Sequence, residues 1–220
     1  MRGDLSGKKF VASYSGGKDS VLAVYRAVKA GLEPLGLMTT HNMDSKRSWF
    51  HGMGEDVLRR AADAMAMPLT LIRTSGANYA ESFESALLDA KAGGAEVCVF
   101  GDIDIEGHLD WCTKRCENAG VIPFFPLQNE DRRNVAYEFV DAGFSAIIKT
   151  VDAARLHESF LGKVIDRGVL DDIERYGADI CGENGEYHSF VFDGPLFSYD
   201  VPFDVGEVVE METYRMLSIV

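Results

Sequence analysis

The sequence predicts an open α/β fold: a mostly parallel sheet with helices on both faces, followed by a small α+β subdomain. Three observations predict it. Short apolar runs rich in β-branched residues recur through residue 150, amphipathic stretches of helical period separate them, and beyond about residue 150 the alternation stops. Strands separated by helices call for parallel pairing through right-handed crossovers.

The first strand is expected at 10–14 (FVASY), closed by a Gly-Gly turn, with a helix at 20–30 (SVLAVYRAVKA) behind it. PLGLMT at 34–39 makes the second strand and GEDVLRRAADAMAM at 54–67 the next helix. The pattern continues with LTLIR at 69–73, a helix at 79–92, VCVFG at 97–101, a helix at 107–119, IPFFPL at 122–127, a helix at 132–141 and AIIKT at 146–150. Short helices are expected within 156–177, then a strand YHSFVF ending in the turn of Asp193, Gly194 and Pro195, and one or two strands in GEVVEMETYRMLSIV. There is no Pro/Gly/Ser-rich linker and no repeat. Residues 1–130 are thus expected to form one domain and 131–220 a subdomain packed on it, close enough to share a site.

The 220 residues can bury a substantial core. No apolar run approaches the roughly 20 residues of a bilayer span, and MRGDLSGKKF lacks the apolar middle of a secretory signal, so the cytoplasm is expected. A net charge of −13 argues against general binding to nucleic acid or anionic membranes, and places any phosphate at one local site. The four cysteines fit reduced thiols. His108, Cys112 and Cys116 recur at helical spacing, yet three such residues on one helix face do not converge easily on one ion, and an ordinary helix face is expected.

The stretch from Ser15 to Ser20, SGGKDS, stands between the first strand and the first helix. Unpaired amides and the macrodipole make a helix N-terminus an anion site, and glycines let phosphate oxygens reach the backbone. Gly16 and Gly17 supply the open turn, Lys18 a neutralising charge, Ser15 and Ser20 hydroxyl donors, and Asp19 a ligand for Mg²⁺ or a brace for the loop. The spacing matches neither the loop of γ-phosphate-cleaving NTPases nor the dinucleotide fingerprint.

This motif resembles the PP-loop ATP pyrophosphatases, whose S-G-G-x-D-S loop embraces the β,γ-pyrophosphate while the α-phosphate is attacked. The resemblance implies a Rossmann-like, HUP-type sheet. CGENGEYHSFVFDGPLF at 181–197 brings Glu183, Glu186 and His188 into one segment, and it is similar to G-E-x-G-E-[FY]-H-[TS] of the diphthine–ammonia ligase family. A V-x-G-D-I element at 99–103 extends the likeness over nearly the whole chain.

Implied are ATP and Mg²⁺ as cofactors, cleavage to AMP and pyrophosphate, ammonium as nitrogen source, and a carboxylate acceptor: diphthine on elongation factor 2 or a related molecule. Lys18, Asp19, Glu183, Glu186 and His188 are the implied catalytic residues. Ser13, Ser15, Gly16, Gly17, Lys18, Asp19, Ser20, Met38, Gly101 and Asp102 are the implied nucleotide-binding residues, with Asp19 reaching Mg²⁺ through ATP. His51, behind Phe50, matches an aromatic-His pair of the family, whereas His41 reads as a solvated loop histidine. Glu106, His108 and Leu109 stand where the family carries a basic stretch, a departure on the acceptor side. The alternatives are a nucleotide sensor without turnover and an RNA-thiolating PP-loop enzyme. The acidic balance and the lack of a Cys-x-x-Cys pair count against the second. Homodimerisation is a further expectation, from the apolar terminus YRMLSIV.

Overall fold

The computed structural model describes residues 5–49 and 51–220, so Phe50 of the aromatic-His pair lies outside the described residues. The chain runs β1 (Lys9–Ser13), α1 (Lys18–Lys29), β2 (Glu33–Asn42), β3 (Arg47–Ser48), α2 (Glu55–Ala64), β4 (Leu69–Thr74), α3 (Tyr79–Ala92), β5 (Val97–Val99), α4 (Glu106–Ala119) and β6 (Ile122–Phe124). It continues through α5 (Arg132–Asp141), β7 (Ser145–Asp152), α6 (Arg167–Tyr176), β8 (Tyr187–Asp193), β9 (Val205–Met211) and β10 (Tyr214–Ile219). Among the described residues no helix is long and apolar enough to cross a membrane.

The first sheet is parallel in the order β4-β2-β1-β5-β6, with β3 pairing antiparallel to the end of β2. The strand formed first therefore lies in the middle, and the winding direction reverses beside it. An open sheet leaves its ligand crevice there, outside the carboxyl ends of the strands. Successive residues of β1 point to opposite faces, so Phe10 and Ala12 enter one apolar core and Val11 the other. Helices cover both faces, and the predicted α/β architecture is the observed one.

One expectation is corrected. Residues 145–152 do not extend the parallel sheet; β7 is an inner strand of a second, antiparallel sheet, β8-β7-β10-β9. The apolar run of β7 is buried along nearly all its length, and burial on both faces looks the same in either kind of sheet. Its partners come from the last 35 residues, which the alternation of the first 150 does not reveal. The terminal strands were expected, and they form the β9–β10 hairpin. Asp131 and Asp166 accept from the amides of Asn134 and Val169, which fixes where α5 and α6 begin.

Candidate active site

The loop between β1 and α1 is held by its own side chains. Gly16 sits at φ +83°, a left-handed conformation that disfavours any side chain. Ser15 Oγ accepts from the amide of Gly17 at 3.2 Å, while Ser20 Oγ accepts from Ser15 N at 3.3 Å and donates to the Gly17 carbonyl at 2.9 Å. The two serine hydroxyls thus brace the turn from inside. A Cβ on Gly101 would lie 2.8 Å from backbone atoms of Asp19 and Ser20, so the end of β5 rests directly on the first turn of α1.

The second sheet closes the loop. Val191 N in β8 donates to the Gly16 carbonyl at 2.9 Å, and Lys18 N donates to Ser189 Oγ at 3.1 Å. His51 comes in from the segment before α2, with Nδ1 3.3 Å from the Ser189 carbonyl. Its ring lies where a Cβ on Gly17 would stand, 2.4 Å from Cε1. Loop, β8 and His51 therefore form one packed unit. Gly17 has an ordinary extended backbone, so the clash is the whole obstacle to a side chain there. Gly17→Ala is expected to cost about 1–3 kcal/mol and to weaken ATP binding at least about tenfold, with His51→Ala restoring most of both. Denaturant unfolding and calorimetric ATP titration of the single and double variants measure it.

Above the loop opens a cavity of about 560 Å³ that both sheets line. Ser13, Ser15, Lys18, Asp19 and Ser20 wall it from the loop side, Gly101 and Asp102 from the end of β5, and Glu183 and His188 from the turn into β8. Gly16 and Gly17 lie in the loop backbone outside this lining. Two expected site residues are elsewhere. The Met38 side chain packs into the apolar core on the opposite face, and only its carbonyl approaches the loop, accepting from Tyr14 N at 2.8 Å. Glu186 is buried inside its own turn, where it accepts from Asn184 N and Nδ2, both at 3.1 Å. It shapes the segment that presents Glu183. His41 is corrected as well: it is a buried β2 residue opposite Ser48, not a solvated loop residue.

The electrostatics of the cavity turn on one lysine and three carboxylates. Lys18 is 3% exposed, with Nζ 2.7 and 2.8 Å from the Asp19 oxygens and donating to the Cys181 carbonyl at 2.5 Å. Burial works against its charge, but Asp19 above all, then Tyr187, Cys181 and Glu183, hold the ammonium well above its usual range. Burial first and the Asp19 carboxylate second push Glu183 up to about 7, against Lys18. Burial raises Asp102, which His108 opposes. A carboxyl near 7 shares the cavity with a fixed ammonium, an arrangement suited to proton transfer at neutral pH.

These residues also fit a nucleotide-bound Mg²⁺. Among the described residues no three carboxylate, imidazole or thiol groups converge into a metal site of their own. Mg²⁺ on phosphate oxygens keeps waters and needs only one or two protein carboxylates, which Asp19 and Asp102, both lining the cavity, would supply.

Two histidines and a lysine back the site. The rings of His51 and His188 are 4.6 Å apart; burial, then Lys149 and Lys18, push His188 down to about 4, and burial, then His188, hold His51 well below its usual range. Both are neutral at pH 7. Lys149 of β7 is fully buried and donates to the His51 carbonyl at 2.6 Å; burial, with Arg47, pushes it down to about 7 from 10.5. Between those two values the unfolded chain binds this proton and the folded chain does not. Stability is therefore expected to rise with pH above 7, by up to about 1.4 kcal/mol per unit, relative to Lys149→Met. Urea midpoints of both proteins at pH 7, 8 and 9 measure it.

Sequence reading missed Lys149 and the apolar end of the cavity, where Trp49, Tyr79, Phe83 and Trp111 stand. Aromatic residues on amphipathic helices read as core, and nothing in their spacing separates a cavity wall from a core face. The cysteines divide by place. Cys112 and Cys116 belong to the apolar core beside Cys98, Cys112 reaching the cavity edge. Cys181 borders the cavity, and burial pushes its thiol up to about 12.

The family model described as diphthamide synthase N-terminal domain matches residues 8–123, and that of the diphthamide synthase C-terminal domain matches residues 131–218. A Danio rerio protein named diphthine–ammonia ligase is 26% identical over 91% of this chain and 88% of its own. The Homo sapiens protein of that name is 25% identical over 91% of this chain and 85% of its own. A solved structure from Methanocaldococcus jannaschii, described as a predicted subunit of tRNA methyltransferase, aligns at 14% identity and TM-score 0.46 over 83% of this chain and 96% of that one. With both halves matched, and with the SGGKDS loop and the Glu183 segment lining one cavity, the chain belongs to the diphthamide synthase family.

Proposed function

We propose that the chain is an ATP-dependent amide ligase that adenylates a carboxylate and then aminates it with ammonia. Residues 1–130 hold the nucleotide and residues 131–220 supply the acceptor side. The observation that carries the reading is the union, in one cavity, of the pyrophosphate loop with Glu183 near 7. The acceptor is diphthine, after the names of the relatives, carried on elongation factor 2 as the family resemblance implies, or a carboxylate related to it.

A carboxylate oxygen attacks the α-phosphorus, and the bond to the β-phosphate oxygen breaks with its electron pair leaving on pyrophosphate. Lys18 and the amides at the start of α1 stabilise that leaving charge. Asp19 and Asp102 would hold a nucleotide-bound Mg²⁺, which would supply further neutralisation of the phosphates. Ammonia then attacks the acyl carbon, the adduct loses a proton to the Glu183 carboxylate, and the C–O bond breaks with its electron pair leaving on AMP, which gives the amide. Neutral His188, beside Ser189 on the same strand, is placed to orient the acceptor by hydrogen bonding. Glu186 acts on the chemistry through the turn it holds. Sulfur transfer is disfavoured because Cys112 and Cys116 are buried and burial pushes the Cys112 thiol well above its usual range, so Cys112→Ser with Cys116→Ser should leave turnover intact.

The test is product analysis. Purified chain with Mg·ATP and ammonium is incubated with and without protein-borne diphthine or fractionated extract. AMP and pyrophosphate that depend on acceptor and ammonium are expected. Release of ADP, or ATP binding with no turnover on any acceptor, would refute the ligase reading and favour a sensor.

A further inference from the structure

Arg132 stands where helix physics argues against it. It is the first residue of α5, and a cation in the first turn opposes the helix macrodipole. Its partners account for the place. The guanidinium grips Asp104 with two parallel bonds, Nε to Oδ2 at 2.8 Å and Nη2 to Oδ1 at 2.6 Å, and its third nitrogen, Nη1, donates to Asp179 at 2.5 Å. Asp104 lies in the segment that runs from the end of β5, past Asp102, to α4, whereas Asp179 lies between α6 and β8. One planar group, whose donors are fixed relative to each other, therefore ties the nucleotide side of the cavity to the acceptor side.

The second carboxylate passes the connection on. Asp179 accepts from Cys181 N at 3.1 Å and from Glu183 N at 3.0 Å, so it shapes the turn from which Glu183 is presented. The Arg132 carbonyl accepts from the Cys181 thiol, and the Cys181 carbonyl accepts from Lys18 Nζ. Arg132 thus holds this turn from its side chain and from its backbone. The Asp179 side chain is only 10% exposed and that of Arg132 25%, so this pair escapes much of the screening that leaves ordinary surface ion pairs with little effect. A base acts only within hydrogen-bond reach of its proton, and a carboxylate carried on a turn is placed no better than the turn itself.

We propose that Arg132 is a positioning residue: by spanning Asp104 and Asp179 it sets the turn that carries Glu183 against the nucleotide side of the cavity. This inference rests on the reading of that cavity as an ATP-dependent ligase site. Arg132 acts through Glu183, and so on amination and not on adenylation.

Two measurements on the full chain test it. Amide hydrogen exchange over residues 179–186 needs no acceptor; Arg132→Met is expected to speed it about tenfold or more, with β1 and β5 unchanged. The half-reactions are then separated with protein-borne diphthine and Mg·ATP: labelled pyrophosphate entering ATP without ammonium reads adenylation, and amide formed with ammonium reads amination. In Arg132→Met the kcat of amide formation should fall about tenfold or more, while the KM for ATP and the adenylation rate stay within about twofold of wild type. Asp104→Asn leaves the Arg132–Asp179 pair in place but cuts the far anchor, and it should slow amination in the same sense. The double variant should be no slower than Arg132→Met, because either change breaks the one bridge. Equal loss of adenylation and amination in Arg132→Met would make Arg132 a residue of general stability and overturn the inference. Wild-type amination in Asp104→Asn, additive losses in the double variant, or unchanged hydrogen exchange in Arg132→Met would overturn it too. A wild type that performs neither half-reaction fails the ligase reading instead, and hydrogen exchange then decides the bridge by itself.

Discussion

Asp19→Ala is expected to lower ATP turnover by about 10³-fold or more while leaving the fold in place. Asp19 lies at the first turn of α1, and its carboxylate is the only side chain within ion-pair distance of the buried Lys18 ammonium among the described residues. Two things follow from its loss. Lys18 is no longer aimed, so the charge that should meet the departing pyrophosphate is misplaced, and one carboxylate for Mg²⁺ is gone; preorganised charge of this kind is worth about 10²–10³ in rate for each group removed. The remaining ammonium is also buried without its partner, which costs about 2–4 kcal/mol, toward the lower end because Asp19 is itself partly solvated. Lys18→Met added to Asp19→Ala should recover much of that stability and none of the activity. Chromatography of AMP and urea unfolding of both variants test the pair. An Asp19→Ala protein that turns over at wild-type rate would sink the role given to the loop.

How far the sequence could be read follows from what kind of signal each feature leaves. The loop from Ser15 to Ser20 is contiguous, and its shape is set by backbone conformation at Gly16 and by serine braces five residues apart, so its form was legible in the sequence. The inner parallel strands β1, β2 and β5 were legible because burial on both faces leaves continuous apolar runs, and the edge strands β4 and β6 because short runs rich in Leu, Ile or Phe stand between helical patterns. What could not be read is pairing at long range. Ser189 meets Lys18 across 171 positions, His51 meets Ser189 across 138, and Lys149 meets His51 across 98. No local pattern encodes such contacts. Met38 and Glu186 fell on the right elements with the wrong direction: alternate residues of a strand face opposite sides, and a tight turn points one glutamate in and the next at its own amides. The aromatic end stayed hidden for the opposite reason, since a cavity wall and a core have the same composition.

Glu183→Gln is expected to change rate and stability in opposite directions, which separates a catalytic role from a structural one. Loss of a positioned base should lower the amination rate by about 10²–10⁴-fold. In the wild type, with Glu183 pushed up to about 7, the rate measured at constant free ammonia should climb as pH rises toward 7 and level off above it, because only the ionised carboxylate accepts the proton. The glutamine variant should lose that limb. Stability runs the other way. A carboxyl that titrates near 7 when folded and at 4.5 when unfolded holds its proton more tightly in the folded chain. Stability contributed by that proton is present below pH 4.5 and is lost as pH climbs to about 7, at up to about 1.4 kcal/mol per unit. Above pH 7 the wild type carries a buried anion beside Asp19 and Asp102 that the variant does not. Glu183→Gln should therefore be slower yet more stable at pH 8, with the stability gap closing by pH 4.5. A variant that is both slower and less stable at pH 8 would assign Glu183 to holding the turn, and the base would have to be sought elsewhere in the cavity.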